Sequence, residues 1–295
     1  MYCPSLTASR AQSAKLLYGV YTYVTDKAAE DVSAYSALYK KLSALGLVGI
    51  SKNASDIVSR GEFAAIMASF MNKSGRSGSG TVYADVPDGS RWHDDIMFLY
   101  ENGASDAGGS VFRPNEPIVL SEALCMLLKA LGYSDALMPE NESAYASALR
   151  YKIIGSDFAF SDSPMTFDAV LKLIDSAKDA EVVRADYSEN PTSFERSDDS
   201  ALYFYKKILT AEGVLNAAGI RSVDNSQSAD NRTVCIGGST YECPDREAYR
   251  NLGCTVKGYF HEKDEEIIYL EATDKNKIVK IGDESAEAFD GTHLT

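Results

Sequence analysis

The sequence predicts an α+β, multi-domain protein in which a mainly α-helical repeat domain precedes a small antiparallel β barrel or sandwich. Three observations lead to this fold class. The chain has 295 residues, of which 45% are hydrophobic, and this is enough for two modest cores. Amphipathic helix patterns recur over the first two thirds of the chain. Short strand patterns separated by turn residues occupy the last third.

The clearest predicted helix pair lies in the second of three repeat copies. It opens with Tyr-Ala-Asp-Val-Pro at residues 83–87 and continues into a first helix over residues 92–102. A loop containing Phe112 leads to a second helix, which is predicted from an N-cap at Ser121 to Leu131. The apolar residues of this second helix follow the spacing i, i+3, i+4, i+7 and mark one face: Leu124, Leu127, Leu128 and Leu131.

Two further copies follow the same plan, so the repeats are predicted at about residues 15–73, 81–134 and 143–178. Each second helix opens with an acidic residue that lies 16 to 19 residues after the end of the first helix. These acidic residues are Glu62, Glu122 and Asp168. The apolar face of the first copy's second helix consists of Phe63, Ile66, Met67 and Phe70. This regular spacing predicts three equivalent helix pairs that bury their apolar faces against one another.

The middle copy resembles a repeat of the S-layer-homology (SLH) family. That family's pattern is Phe-x-Asp-Val, Trp-Ala, a helix ending at Gly, Phe-x-Pro, and Thr-Arg-Ala-Glu opening the second helix. The matching residues here are Tyr-Ala-Asp-Val at 83–86, Trp92, Gly103, Phe-Arg-Pro at 112–114 and, in the first copy, Ser-Arg-Gly-Glu at 59–62. The resemblance covers residues 35–178 and implies three helical repeats around a pseudo-threefold axis. It also implies grooves that bind bacterial cell wall polysaccharide, often pyruvylated.

The resemblance implies a glycan groove formed by Arg60, Glu62, Asp85, Trp92 and Glu122. In such a groove Arg60 would hold a sugar carboxylate through two N–H groups, and Trp92 would stack on a sugar ring. Each residue also has a structural interpretation. Trp92 suits a core aromatic position, and Asp85 suits a helix cap. Glu62 and Glu122 suit the positive end of a helix dipole.

The motif arginine is present in one copy only. Arg60 occupies the position in the first copy, and we assign Leu120 and Thr166 to it in the second and third copies. Because Leu and Thr cannot pair with a carboxylate, two hypotheses remain open. In the first, a non-enzymatic surface protein is anchored to cell wall polysaccharide, and the β domain is a spacer or presentation domain. In the second, the repeats have lost glycan binding and form a protein interaction or assembly module that binds neighbouring subunits of a surface layer.

Polar and acidic residues over 181–200 predict a linker. It is followed by a small β domain over 201–285 and a tail over 286–295. Gly237-Gly238, between two strand patterns, predicts a two-residue hairpin. The segment 208–281 resembles the small β modules that follow such repeats in surface proteins of Clostridia-like bacteria. The predicted strands cover residues 202–205, 233–236, 239–241, 255–261, 266–272 and 277–281.

The charge and hydropathy of the chain narrow the choice of partners. A net charge of −14 argues against nucleic acid and anionic membrane surfaces. No apolar stretch reaches the roughly 18 to 20 residues that a membrane-spanning helix needs. Residues 1–24 lack a basic region and a clear cleavage site, so we expect a signal peptide to have been removed from an extracellular protein of the cell wall or surface layer.

No catalytic or metal site can be assembled from sequence spacing. The three histidines, His93, His261 and His293, lie far apart, and no nucleophile or carboxylate pair accompanies them. We therefore predict no enzymatic activity, no cofactor and no metal. Cys243 and Cys254 are close enough in the sequence to form a disulfide in an oxidising compartment, and core thiols fit them equally well.

Overall fold

The computed structural model shows a mixed α+β protein that divides into two compact units, residues 1–207 and residues 208–295. We name these the helical unit and the β unit. The residues that the structure describes are 32–75, 80, 82–105, 111–133, 137, 142–156, 158–186, 193–223, 232–245 and 247–276. The predicted strand at 277–281 and the predicted tail at 286–295 lie outside these residues.

Three consecutive helix pairs form most of the helical unit. The first helices of the pairs are α1 (32–44), α3 (His93–Glu101) and α5 (Ala144–Arg150). The second helices are α2 (Arg60–Phe70), α4 (Leu120–Ala130) and α6 (Phe167–Ala177). The predicted apolar faces of α2 and α4 are confirmed, because all eight of their assigned residues are fully buried.

The start of each second helix is fixed in a different way. In α2, Ser59 and Glu62 form a capping box, in which the Glu62 carboxylate accepts from the Ser59 N–H at 2.8 Å. The start of α4 has Val119 at its N-cap and no side-chain cap, so the predicted N-cap at Ser121 is wrong by two positions. Tertiary contacts of the preceding strand-like residues, rather than a cap, therefore set the start of α4.

The residues that precede α2, α4 and α6 are joined in a closed ring of three backbone hydrogen bonds. The Val58 N–H donates to the Met165 carbonyl at 3.0 Å, Met165 donates to Ile118 at 2.9 Å, and Ile118 donates back to Val58 at 2.9 Å. All three side chains are buried. Because buried amides need partners, the ring satisfies one donor and one acceptor on each segment. It therefore brings the starts of the three helices around one centre.

The ring corrects the residue equivalences assumed from the sequence. Val58, Ile118 and Met165 hold corresponding places, so the counterpart of Arg60 is Leu120 in the second pair and Phe167 in the third. Thr166, which was assigned to that position, is instead the N-cap of α6 and accepts from the Ala169 N–H at 3.3 Å. The shift arises because the third copy lacks the Arg and Gly that mark the motif in the first copy. By the same register, Asp168 matches Gly61 and not Glu62.

The segment predicted as an acidic linker forms ordered structure. Strands β1 (Glu181–Asp186) and β2 (Ser193–Ser200) pair antiparallel, and α7 (Ala201–Lys206) follows them. The predicted strand at 202–205 is therefore a helix. Ser200 caps α7 by accepting from the Tyr203 N–H at 3.2 Å, and Lys207, with φ of 55°, ends it in the left-handed region.

Helix α7 is attached to the C-terminal ends of α2, α4 and α6. The Tyr205 hydroxyl donates to the carbonyl of Ala130, the last residue of α4, and its ring lies 5.7 Å from the ring of Phe70 at the end of α2. The Leu202 N–H donates to the carbonyl of Lys178, which caps α6, at 2.8 Å. Residues 181–207 therefore complete the helical unit, which the sequence had placed only at 1–180.

The β unit is one antiparallel sheet. Its strands are β3 (Ile208–Ala218), β4 (Arg221–Ser222), β5 (Thr233–Ile236), β6 (Ser239–Glu242), β7 (Thr255–His261) and β8 (Ile267–Ala272), with a 3₁₀ helix at Ala248–Asn251. Their order is β6-β5-β3-β7-β8, and β4 pairs with β3. The predicted hairpin is confirmed, because Gly237 and Gly238 both have positive φ, 57° and 92°, between β5 and β6.

The sheet is curled around a core but is not a closed barrel. The long strand β3 pairs with β7 over residues 208–214 and with β5 over residues 215–218. The outer strands β6 and β8 form no ladder with each other in the described part of the chain, where a single bridge joins Glu242 and Glu266. The predicted barrel is thus corrected to an open sheet. Its core includes Leu215, Val234, Ile236, Val256, Phe260 and Ile267.

Candidate ligand groove at the start of helix α2

The start of α2 lies against a loop of the second helix pair. The Arg60 N–H donates to the Glu116 carbonyl at 2.9 Å, and the Gly61 N–H donates to the Pro114 carbonyl at 2.8 Å. These two donors belong to the first turn of α2, which has no partners for them within the helix. The loop therefore completes the hydrogen bonding of α2, and the two helix pairs meet at Arg60.

The Arg60 guanidinium is held by the second helix pair. Its Nε donates to the Phe112 carbonyl at 2.8 Å, and its centre lies 5.1 Å from the centroid of the Phe112 ring. Its Nη1 lies 2.5 Å from Oε1 of Glu122, in an ion pair without regular hydrogen-bond geometry. The side chain is only 11% exposed. The arginine predicted to bind a ligand thus already has a carboxylate partner within the chain.

Glu122 is shared between two arginines. Its Oε1 also lies 3.1 Å from Nη2 of Arg113, which in turn pairs with Glu116 at 3.2 Å through Nη1. Glu122 is 30% exposed and Arg113 is 47% exposed, so solvent reaches this end of the network. A ligand carboxylate at Arg60 would have to compete with Glu122.

Asp85 and Trp92 lie at the same junction but serve the protein's own packing. The two carboxylate oxygens of Asp85 accept from the N–H groups of Phe112 and Arg113, at 2.7 and 2.6 Å. Asp85 therefore fixes the loop that meets Arg60 and caps no helix. The half-buried Trp92 lies so close to Gly61 that a Cβ there would be 2.3 Å from its Cδ1.

Glu62 is held by a different set of partners. Both of its carboxylate oxygens accept from Lys52 Nζ, at 2.9 and 2.8 Å, and one also accepts from the Ser59 N–H. Burial alone would raise the pKa of Glu62, but the hydrogen bonds from Lys52 and Ser59 outweigh it and hold the pKa below its usual value. Glu62 therefore stabilises the start of α2 in its ionised form.

A cavity of about 180 Å³ lies beside the Arg60–Glu122 pair. Its lining consists of Arg60, Tyr83, Ala104, Ser105, Val111, Phe112, Glu122, Cys125, Met126 and Lys129. Of the five predicted groove residues, only Arg60 and Glu122 line it. The sequence could have indicated Cys125 and Lys129, which follow Glu122 at i+3 and i+7 on the outer face of α4. Phe112 and Tyr83 reach the cavity through loop geometry that sequence spacing does not encode.

A larger cleft of about 730 Å³ lies at the start of α6. It is lined by Val32, Ala34, Tyr35, Leu38, Lys52, Asn53, Ala54, Ser55, Thr166, Asp168 and Lys172. Here the loop of the first pair accepts hydrogen bonds from α6, since the N–H groups of Phe167 and Asp168 donate to the carbonyls of Asp56 and Ala54. This interface repeats the plan of the α2 junction. Its cations are Lys52 and Lys172 rather than a motif arginine.

The other suspected residues form no catalytic or metal centre in the described part of the chain. No group of three or more His, Cys, Asp or Glu side chains there is placed to hold a metal ion. His93 is buried between the Gly80 carbonyl, 2.8 Å from Nε2, and Asp94, 3.2 Å from Nδ1. Cys243 and Cys254 are free thiols, so the structure has no disulfide between them. His293 lies outside the described residues.

Comparison with protein-family models and with curated protein sequences finds no match to this chain. In the part of the chain that the structure describes, none of the helices has both the length and the apolar character needed to cross a bilayer.

Proposed function

We propose that the chain is a non-enzymatic, extracellular protein of the bacterial surface. In this proposal the helical unit is an SLH-type module of three repeats that attaches to cell wall polysaccharide, and the β unit is a spacer or presentation domain. The observation that supports it best is the ring of hydrogen bonds through Val58, Ile118 and Met165. The ring relates three successive helix pairs by position, as the resemblance of residues 35–178 to that family implies.

The clefts between helix pairs support a ligand of sugar type. The cleft at α6 has a volume of about 730 Å³, which is within the range of small-molecule sites. It combines an aromatic side chain, Tyr35, with the Asp168–Lys172 ion pair, in which Nζ and Oδ2 lie 2.7 Å apart, and with Lys52, which also binds Glu62. Sugar hydroxyls and an acidic substituent can use such a mixed set of donors and acceptors.

Retention of the folded chain on purified bacterial cell wall tests this proposal. The matrix is wall that carries its polysaccharide, and the control matrix is wall from which the polysaccharide has been extracted. We expect retention on the first matrix only. We also expect Arg60→Ala to reduce retention at least tenfold. The matched control is Arg150→Ala, since Arg150 is an exposed arginine of the same unit that pairs with Glu142 at 2.6 Å. Failure of the folded chain to bind either matrix would remove the anchoring proposal.

A second candidate function is an assembly module that binds neighbouring surface subunits. The contacts of Arg60 with Phe112 and Glu122 favour it, because a ligand carboxylate at Arg60 would have to compete with Glu122. The replacement of the arginine by Leu120 and Phe167 in the other pairs favours it as well. Light scattering over a concentration series tests this candidate. Under it, self-association persists in Arg60→Ala and in the absence of wall polysaccharide.

A further inference from the structure

The β unit contains a cavity of about 530 Å³ that the proposed function does not use. It lies between the β3–β4 turn, the start of β5, the residues after β6 and the 3₁₀ helix. Its lining consists of Ala218, Gly219, Ile220, Arg221, Arg232, Thr233, Val234, Cys243, Asp245, Ala248 and Tyr249.

The floor of this cavity is apolar and rigidly placed. Ala218, Val234, Cys243 and Ala248 are all buried members of the core of the β unit. Burial raises the pKa of the Cys243 thiol, which keeps it uncharged at neutral pH. An apolar floor with a few polar groups at the rim is the usual form of a small-molecule site.

The rim carries two arginines, Arg221 in β4 and Arg232 immediately before β5. The Arg221 guanidinium lies 4.0 Å from the centroid of the Tyr249 ring, so the ring supports its flat face and leaves the N–H groups at its edges available. Neither Arg221 nor Arg232 has an ion-pair partner among the described residues. By contrast, Arg250, outside the cavity, pairs with Glu247 at 3.1 Å.

Among the described residues that line the cavity, Asp245 is the one carboxylate, and it forms no ion pair with Arg221 or Arg232. Asp245 uses Oδ1 to accept from the Glu247 N–H at 2.9 Å. In a chain with a net charge of −14, two arginines that have no ion-pair partner among the described residues line one cavity.

We propose that this cavity binds a small ligand bearing a carboxylate or phosphate group. Arg221 and Arg232 hold the anionic group by charge-assisted hydrogen bonds, and the apolar part of the ligand contacts Val234 and Ala248 on the floor. The site lies within the β unit, so it does not depend on whether the helical unit binds polysaccharide or protein.

Titration of the full chain with phenyl phosphate, inorganic phosphate and benzoate tests the proposal. Calorimetry at low ionic strength should show saturable binding of at least one of the three in the millimolar range or tighter. Comparing phenyl phosphate with inorganic phosphate measures the contribution of the phenyl ring, and comparing phenyl phosphate with benzoate measures the preference between the two anionic groups. In amide spectra, the shifts should centre on Thr233, Val234 and Ala248.

Charge variants of the rim provide the decisive comparison. Arg221→Gln and Arg232→Gln should each weaken binding at least tenfold, whereas Arg250→Gln should leave it within twofold. All three residues are exposed, so these variants should remain folded. Tyr249→Leu keeps the charge but removes the supporting ring, and it should weaken binding several-fold. The proposal is overturned by an absence of saturable binding, or by equal losses in Arg221→Gln and Arg250→Gln, which would report only general attraction of anions.

Discussion

Gly61→Ala tests how closely the first and second helix pairs are packed. A Cβ at position 61 would lie 2.3 Å from Cδ1 of Trp92 and 2.8 Å from both Cγ and Nε1. The contact is with an aromatic ring and not with the far end of a flexible side chain, so either the indole or α2 has to shift. Overpacking of this kind costs about 1–3 kcal/mol, and the closeness of an aromatic ring favours the upper end. Alanine regains about 1 kcal/mol of helix propensity. We therefore expect unfolding free energy to fall by about 2 kcal/mol.

Urea denaturation followed by far-ultraviolet circular dichroism measures this loss, since the helical signal reports the helical unit. In a Trp92→Leu background the clash is absent, so Gly61→Ala should become neutral or stabilise the protein by up to about 1 kcal/mol. Ser121→Ala, at the corresponding position of α4, is the matched control and should change stability little. Equal losses from Gly61→Ala in both backgrounds would refute the packing of Trp92 on α2.

Three further predictions concern ionic contacts, the α7 attachment and pH. Glu122→Gln leaves the Arg60 guanidinium without its carboxylate partner and should lower the free energy of unfolding by about 1–2 kcal/mol. The expected loss is modest because Glu122 is 30% exposed. An unchanged free energy of unfolding in urea denaturation would show that the ion pair does not stabilise the fold. Tyr205→Phe removes a part-buried hydrogen bond to the Ala130 carbonyl and should cost about 1–2 kcal/mol in urea denaturation; an unchanged stability would contradict the attachment of α7 to α4. The hydrogen bond to the Gly80 carbonyl, and to a smaller extent the one to Asp94, raises the pKa of His93 above 6.5. The stabilisation of the folded state by protonated His93 is therefore fully present below pH 6.5, and it is lost as the pH rises through the raised pKa. His93→Gln should abolish that loss, and an unchanged pH profile would contradict the assignment.

The predictable part of the fold is the part in which a periodic pattern and a buried face coincide. The leucines of α4 and the apolar residues of α2 predicted both helices, because apolar residues that recur every 3.6 positions indicate one buried face of an α-helix. The hairpin at Gly237-Gly238 was equally clear, since two positive φ values require glycine in that turn.

The prediction of a linker at residues 181–200 is wrong because the strands of this segment are held by tertiary contacts. The Val183 N–H donates to the Leu131 carbonyl at 2.8 Å, and a Cβ on Gly132 would lie 2.1 Å from the Val183 carbonyl oxygen. Polar composition carries no signal for such contacts. The aromatic residues of α7 favoured a strand by propensity, and its attachment to three helix ends overrides that preference.

In the candidate groove, too, the sequence predicted some of the residues but not their contacts. Sequence reasoning identified Arg60 and Glu122 from the motif, and the structure places them in contact. It did not foresee that they pair with each other, because 62 residues separate them and the contact depends on the ring that brings two helix starts together. Nor did it identify Lys52 as the partner of Glu62, since loop conformation alone sets that distance.

Native-state hydrogen exchange at the amides of Val58, Ile118 and Met165 tests the central claim most directly. If the three helix pairs share one centre, these amides are mutually dependent and should exchange only when the helical unit unfolds, with one common free energy and one common denaturant dependence. Exchange of any one of them through a separate local opening, while the other two remain protected, would contradict the shared ring and with it the three-repeat account of this unit.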